Sequence, residues 1–225
     1  GGVDLLGRGV GCIGTGSSGI QSITLSSKEG AELSVFQRTP NFSCRARYGG
    51  VCPVDVAAVE ADPGGVRQEA RRSGIGVPRP GREEGALDVD DAERQRRYEA
   101  AWQRGTILDL TGAFADTIIN PVSNEHASEF VRSKIRETVN DPDTAELLCP
   151  TTYPIATKRL CLDSGYYETF NEAHVSLVDL RRNPIEAITA TGIETGEQTF
   201  EFDDIVFATG FDAMTGAIVA VDIAG

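Results

Sequence analysis

The period of the apolar positions changes along the chain, and each change marks a change of architecture. Val10, Cys12 and Ile13 form the short apolar run of a strand, and Leu33, Val35 and Phe36 form another. The segment between them opens on a glycine-rich turn and closes near Gly30, a residue suited to a left-handed helix cap. Residues 9–39 therefore predict strand, turn, helix, strand. Periodicity then weakens: residues 44–87 are rich in Gly, Pro, Arg and Ala, which predicts irregular or mobile segments between short helices. Helical spacing returns over 88–104, where Asp88 or Asp90 can cap and Tyr98, Ala101 and Trp102 share a face before Gly105. A second helix fits 125–139 on the stripe Ala127, Phe130, Val131, Ile135 and Val139, ended by Asn140 to Pro142. From Pro154 onward the strand signal resumes. The run DSGYYETFNEA predicts a short helix, VSLVDL a strand, TGIETGEQTFEF a hairpin and DDIVF a last strand. The pattern is an α/β sheet divided by a mostly helical insertion: sheet over 1–43, insertion over 44–150, sheet again over 151–210, and a separate continuation over 211–225.

Composition narrows the class. A hydrophobic content of 40% over 225 residues supports an ordinary core. No apolar run approaches the roughly eighteen residues of a membrane span, and no leader-like segment opens the chain, so neither membrane nor export is expected. A formal net charge of −13 argues against a nucleic-acid partner. The cysteines Cys12, Cys44, Cys52, Cys149 and Cys161 are odd in number and show no CxxC spacing, which disfavours a disulfide framework or a zinc site and suggests reduced thiols in a cytoplasmic protein. The lone methionine is Met214, so the chain is expected to be a piece of a longer protein.

The candidate chemistry begins at the glycine turn. Gly14, Gly16 and Gly19 sit between a strand and a helix, where backbone N–H groups and the positive helix end can meet a pyrophosphate. The second strand ends on Arg38 and Thr39, where an NAD-binding chain usually carries an acidic residue. An arginine there favours the 2′-phosphate of NADP, so the fold class is a Rossmann-like NADP-binding domain. Lys158 and Arg159 are an adjacent cationic pair that by itself reads as ordinary surface. The ATGFD run at 208–212 reads as a strand ending in a tight turn, with Asp212 structural. His126 and His174 lack companions at metal or triad spacing, Trp102 reads as packing, and RQEARR at 67–72 as a solvated helix face.

Taken together, GTGSSGIQ, VFQRTPNF, CPTTYPIATKRLCLDSGYYETFN, VSLVDLRRNPIEAIT and DDIVFATGFDAMTGA resemble, in order and spacing, a Baeyer-Villiger monooxygenase of the cyclohexanone monooxygenase type. The resemblance covers almost the whole chain and is weakest over 44–87. It implies a fragment of a flavoprotein with two dinucleotide-binding domains, one for FAD and one for NADP(H). The parent would oxidise ketones with dioxygen to esters or lactones through a peroxide at the flavin C4a. On this reading Gly14, Thr15, Gly16, Ser17, Ser18, Gly19, Ile20 and Gln21 line the NADP diphosphate, and Arg38, Thr39 and Lys158 hold the 2′-phosphate. Arg159 faces the flavin as the catalytic cation, and 208–212 is the crossing between the two domains. FAD would be held mainly by regions outside this chain, leaving the piece inactive alone. Two alternatives remain open: a related flavin monooxygenase acting on nitrogen or sulfur, and a truncated, non-catalytic NADP-binding module.

Overall fold

A computed structural model describes residues 3–47, 53–73, 76–77, 83–211 and 216–222. Strand β1 (Gly9–Ile13) is buried at every position but its first, as expected of a strand covered on both faces. It is followed by helix α1 (Ser17–Lys28) and strand β2 (Glu32–Gln37). β2 pairs parallel to β1 with Val10 opposite Leu33 and Ile13 opposite Phe36. Two later strands complete the sheet: β5 (Val175–Asp179) lies parallel to β2, and β9 (Asp204–Phe207) lies parallel to β1 on its other edge. The order is thus β5-β2-β1-β9. The chain leaves β1 toward one side and returns beside it on the other, which makes the carboxyl ends of β1 and β9 a topological switch point.

Side-chain alternation assigns the two faces. Ile13 and Phe36 point to one of them and join Ile193 in an apolar cluster with Val178, Leu180, Ile185, Phe200, Phe202 and Ile205. That face is covered by an antiparallel meander, β6 (Ile185–Ile188), β7 (Gly192–Thr195) and β8 (Thr199–Glu201). The expected hairpin is β7–β8. β6 adds a strand that its short, alternately exposed IEAI run did not announce. The fully buried Phe36 ring meets Phe200 and Phe202 edge-on at 5.1 and 5.9 Å. Burial of such a ring contributes about 1.5–3 kcal/mol, and each edge contact about 0.5–1.5 kcal/mol more. On the other face α1 packs through Ile20 and Ile23, with Thr24, Ser26 and Ser27 also buried.

The remaining elements fall into two compact units, residues 1–45 with 128–225 and residues 46–127. In the first, β3 (Ser43–Arg45) pairs parallel with β4 (Cys161–Asp163), a two-stranded sheet too short to show a period in the sequence. The second contains α2 (Pro53–Ala61), α3 (Pro63–Arg72), α4 (Asp91–Arg104) and α5 (Ile107–Thr111). Of the two expected caps for α4, Asp90 acts, accepting from the Glu93 amide, and Gly105 closes the helix at φ +67°. Helix α6 (Pro121–Thr138) begins before the expected residue 125, at a proline that suits a first turn, and the unit division falls inside it. Its last turns, with Val131 and Ile135 fully buried, belong to the sheet unit, as does α7 (Pro142–Leu148). Gln37 at the end of β2 donates to the Leu147 carbonyl at 2.8 Å, which ties α7 to the sheet although the insertion was expected to extend to 150. The short helices α8 (Tyr166–Thr169) and α9 (Gly216–Val219) complete the order.

Candidate functional site

A groove of about 330 Å³ opens at the carboxyl ends of the parallel strands. Gly14, Thr15 and Gly16 line it after β1, Arg38, Thr39 and Asn41 after β2, Leu180 after β5, and Ala208, Thr209 and Gly210 after β9. Ile13, Phe36 and Lys158 complete the lining. All four strands thus deliver loop residues to one place, where α/β sheets of this topology take ligands.

The three glycines differ in what they are needed for. Gly14 has φ +103°, and a Cβ there would lie 2.5 Å from the Ala208 carbonyl oxygen. A Cβ at Gly19 would lie 2.2 Å from the Gly14 carbonyl oxygen, so this glycine lets α1 approach the turn. Gly16 has ordinary backbone angles, φ −77° and ψ −172°, and a Cβ there would meet nothing within 4 Å. The fold has no steric need for glycine at 16, and the open space beside it belongs to the groove. A diphosphate approaching the backbone would use that space, so the turn fits a dinucleotide phosphate. Gly16 also caps α1 without a side-chain acceptor, which leaves the amides of the first turn directed outward.

The expected diphosphate residues are placed unequally. Gly14, Thr15 and Gly16 line the groove, and Ser17 and Ser18 are exposed at the start of α1. Gly19 is buried beneath the turn. Ile20 is committed elsewhere: its side chain is in the core and its amide donates to the Gly16 carbonyl at 2.8 Å. Gln21 is exposed on α1 and is not among the lining residues. At the expected 2′-phosphate end, the groove gathers Arg38, Thr39 and Lys158. Arg38 is exposed and has no ion pair among the described residues. The neighbouring carboxylate at the end of β5, Asp179, is bonded instead to Arg181 at 3.1 Å.

Lys158 reaches the groove across 120 residues of sequence because a turn folds it back. The Thr157 amide donates to the Pro154 carbonyl at 3.3 Å, and Ala156 adopts φ +70°, a left-handed conformation rare for a residue with a Cβ. The Lys158 ammonium then lies 4.3 Å from the centroid of the Tyr153 ring. Arg159 follows with an exposed side chain outside the groove lining and without an ion pair among the described residues.

Residues without a role in the sequence reading are also present. Asn41 Nδ2 donates to the Thr15 carbonyl at 2.7 Å, and the Thr15 hydroxyl donates to the Thr39 carbonyl at 3.0 Å. These bonds tie the glycine turn to the segment after β2. The only local signal for Asn41 is an amide side chain after Pro40 at a strand end. Ala208, Thr209 and Gly210, expected as a crossing segment, line the groove; Asp212 lies outside the described residues.

Other candidate chemistry is weaker. A cavity of about 200 Å³ in the 46–127 unit is lined by Glu93, Arg96, Arg97, Ala100, Arg104 and Ala113. Its cations are already paired, Arg96 and Arg97 with Glu93, and Arg104 with Asp109. Burial pushes the Cys12 and Cys44 thiols up to about 12 and Cys149 up to about 11, so these groups stay protonated and unreactive. His174 bonds Ser27 at the end of α1, a structural contact. Among the described residues no cluster has the makeup of a metal site, and no helix is long and apolar enough to cross a membrane.

The chain has relatives among known proteins. No family model matches the chain. A curated Baeyer-Villiger monooxygenase of Pseudooceanicola batsensis is 36% identical over 230 residues, covering 100% of this chain and 41% of that protein. The solved structure of an oxidized steroid monooxygenase bound to NADP superposes with a TM-score of 0.89 at 44% identity, over 97% of this chain and 42% of that one. In sequence and fold, the chain is similar to a portion of Baeyer-Villiger monooxygenases. It spans about two fifths of the length of the curated relatives it matches. The phenazine N-monooxygenase PhzNO1 of Lysobacter antibioticus is also similar, 38% identical over 225 residues, 99% of this chain and 41% of that one. The Baeyer-Villiger likeness runs through both parts of the sheet unit and through the inserted helices, since the alignments span the chain.

Proposed function

We propose that this chain is the NADP-binding portion of an FAD- and NADPH-dependent monooxygenase that oxidises ketones to esters or lactones. The observation that carries this reading is the convergence of the glycine turn, Arg38, Thr39 and Lys158 on one groove at the carboxyl ends of the sheet. When bound, NADPH supplies reducing equivalents and the flavin brings dioxygen to the substrate. This chain's residues do the holding. The amides of the Gly14–Gly16 turn and the first turn of α1 donate to the diphosphate, with the Ser17 and Ser18 hydroxyls beside them. The Arg38 guanidinium offers a fork to the 2′-phosphate, Thr39 a hydroxyl, and Lys158 a second positive charge. Arg159 is assigned the catalytic role of a cation at the reacting centre, where positive charge stabilises a developing anion. Its exposed, unpaired guanidinium among the described residues leaves that charge available.

The test is a titration of the chain with NADP⁺ and NAD⁺, alongside Arg38→Ala. We expect the wild type to prefer NADP⁺ and the variant to lose at least tenfold of that preference, about 1.4 kcal/mol. Equal affinity of the wild type for both would remove the 2′-phosphate assignment. A second reading, oxygenation of nitrogen in place of a ketone, is favoured by the similarity to the phenazine N-monooxygenase. Product analysis of the whole enzyme separates them, an ester or lactone against an N-oxide.

A further inference from the structure

The cationic end of the groove is built on Tyr153, a residue outside its lining. Its hydroxyl lies 2.9 Å from both the Pro40 carbonyl oxygen and Asn41 Oδ1 and donates in that fork. Its ring meets Phe42 edge-on at 5.5 Å. The ring face carries the Lys158 ammonium at 4.3 Å, well inside the range of a cation–π contact. The Pro154–Thr157 turn, with Ala156 left-handed, is what doubles the chain back so that residue 158 reaches residue 153. One side chain therefore touches three parts of the site. Through Asn41 it reaches the Thr15 carbonyl of the glycine turn, through Pro40 the segment that follows Arg38 and Thr39, and through its ring the ammonium of Lys158.

We propose that Tyr153 is a positioning and specificity-determining residue: its ring holds Lys158 ready for the 2′-phosphate, while its hydroxyl, with Asn41, fixes the glycine turn that receives the diphosphate. The inference rests on the NADP reading above. A free lysine side chain samples many rotamers and pays entropy to meet a phosphate, and an ammonium already seated on a ring pays less. The two ends of Tyr153 then have separable consequences. The ring governs discrimination between nucleotides with and without a 2′-phosphate. The hydroxyl and Asn41 govern affinity for both. Burial pushes the phenol up to about 12, against an opposing bond from the Phe42 amide, so it stays a donor through the neutral range.

The experiment measures affinities of the full chain for adenosine 2′,5′-bisphosphate and adenosine 5′-monophosphate. Tyr153→Leu is expected to lower the affinity ratio by about fivefold to tenfold, the scale of the cost of ordering one rotamer-rich side chain. Tyr153→Phe keeps the ring and should hold the ratio within about twofold while weakening both ligands. Asn41→Ala should likewise weaken both and leave the ratio unchanged. In a Lys158→Ala background, Tyr153→Leu should no longer move the ratio, which a general packing defect would not reproduce. If leucine at 153 unfolds the chain by circular dichroism, Tyr153→Met supplies the ring deletion with a side chain that fills the gap. A wild-type ratio in a folded ring-deletion variant would overturn the proposal. A wild type that does not distinguish the two nucleotides would overturn the NADP reading itself, so the two failures are distinct.

Discussion

Substituting Gly14 and Gly16 separately should divide fold from ligand within one turn. In Gly14→Ala the new methyl would stand 2.5 Å from the Ala208 carbonyl oxygen, with φ at +103°. The obstacle is backbone at the end of β9, which cannot swing aside as a flexible side chain could. Overpacking costs about 1–3 kcal/mol and a sparsely populated backbone conformation about 1–3 kcal/mol. The sum, roughly 2–6 kcal/mol, corresponds to a fall in melting temperature of about 4–24 °C for a chain of this size. Gly16→Ala has no such cost, because its φ of −77° suits any residue and nothing lies within 4 Å of the methyl. The small loss of a glycine cap is offset by the lower entropy of the unfolded chain, so stability should stay within about 0.5 kcal/mol. The methyl does enter the space assigned to the diphosphate, and NADP⁺ affinity should fall at least tenfold, about 1.4 kcal/mol. Differential scanning fluorimetry reads the first effect and calorimetric titration the second. Wild-type affinity in Gly16→Ala would refute the placement of the diphosphate, and a wild-type melting temperature in Gly14→Ala would refute the steric account of the turn.

Three further outcomes are expected. In the full-length protein, on the proposed function, Arg159→Ala should abolish ester formation while NADPH oxidation persists, measured by product chromatography beside absorbance at the nicotinamide band; an unchanged ester yield would remove Arg159 from the catalytic role. Ala156→Gly should be a rare alanine-to-glycine change that does not destabilise. The left-handed conformation costs alanine about 1–2 kcal/mol, which outweighs glycine's entropic cost of about 0.5–1 kcal/mol, so a lowered midpoint in urea would contradict the strain assigned to φ +70°. Glu93, held down to about 2 from 4.5 by hydrogen bonds from Arg96 and Arg97, should contribute stability above pH 4.5 that is lost as pH falls toward 2. Its depressed folded value sets that sign. Acid titration by circular dichroism should show Glu93→Gln losing less helix than wild type in that window, and identical profiles would remove Glu93 as the cause.

Local pattern alone made the core of the proposed nucleotide site legible. The apolar run at Val10 to Ile13, the spacing of Gly14, Gly16 and Gly19, and the alternation at Leu33, Val35 and Phe36 are contiguous signals whose periods match a strand, a turn with a helix, and a strand. Arg38 is legible for the same reason, since it ends the second strand. Elements with little period of their own, β3, β4 and β6, escaped notice because three- or four-residue pairings draw their stability from neighbours elsewhere in the chain. Tertiary contact settled the rest. It separated Gly14 and Gly19, where a Cβ would collide with backbone, from Gly16, where a Cβ would meet nothing, because that difference depends on where Ala208 and the Gly14 carbonyl stand. It withdrew Ile20 into the core and brought Leu180 and Ala208 to Gly210 into the groove, because strands distant in sequence end side by side in a parallel sheet. It also set Lys158 on Tyr153 and Tyr153 on Asn41, a linkage that spans more than a hundred residues and leaves no trace in local pattern.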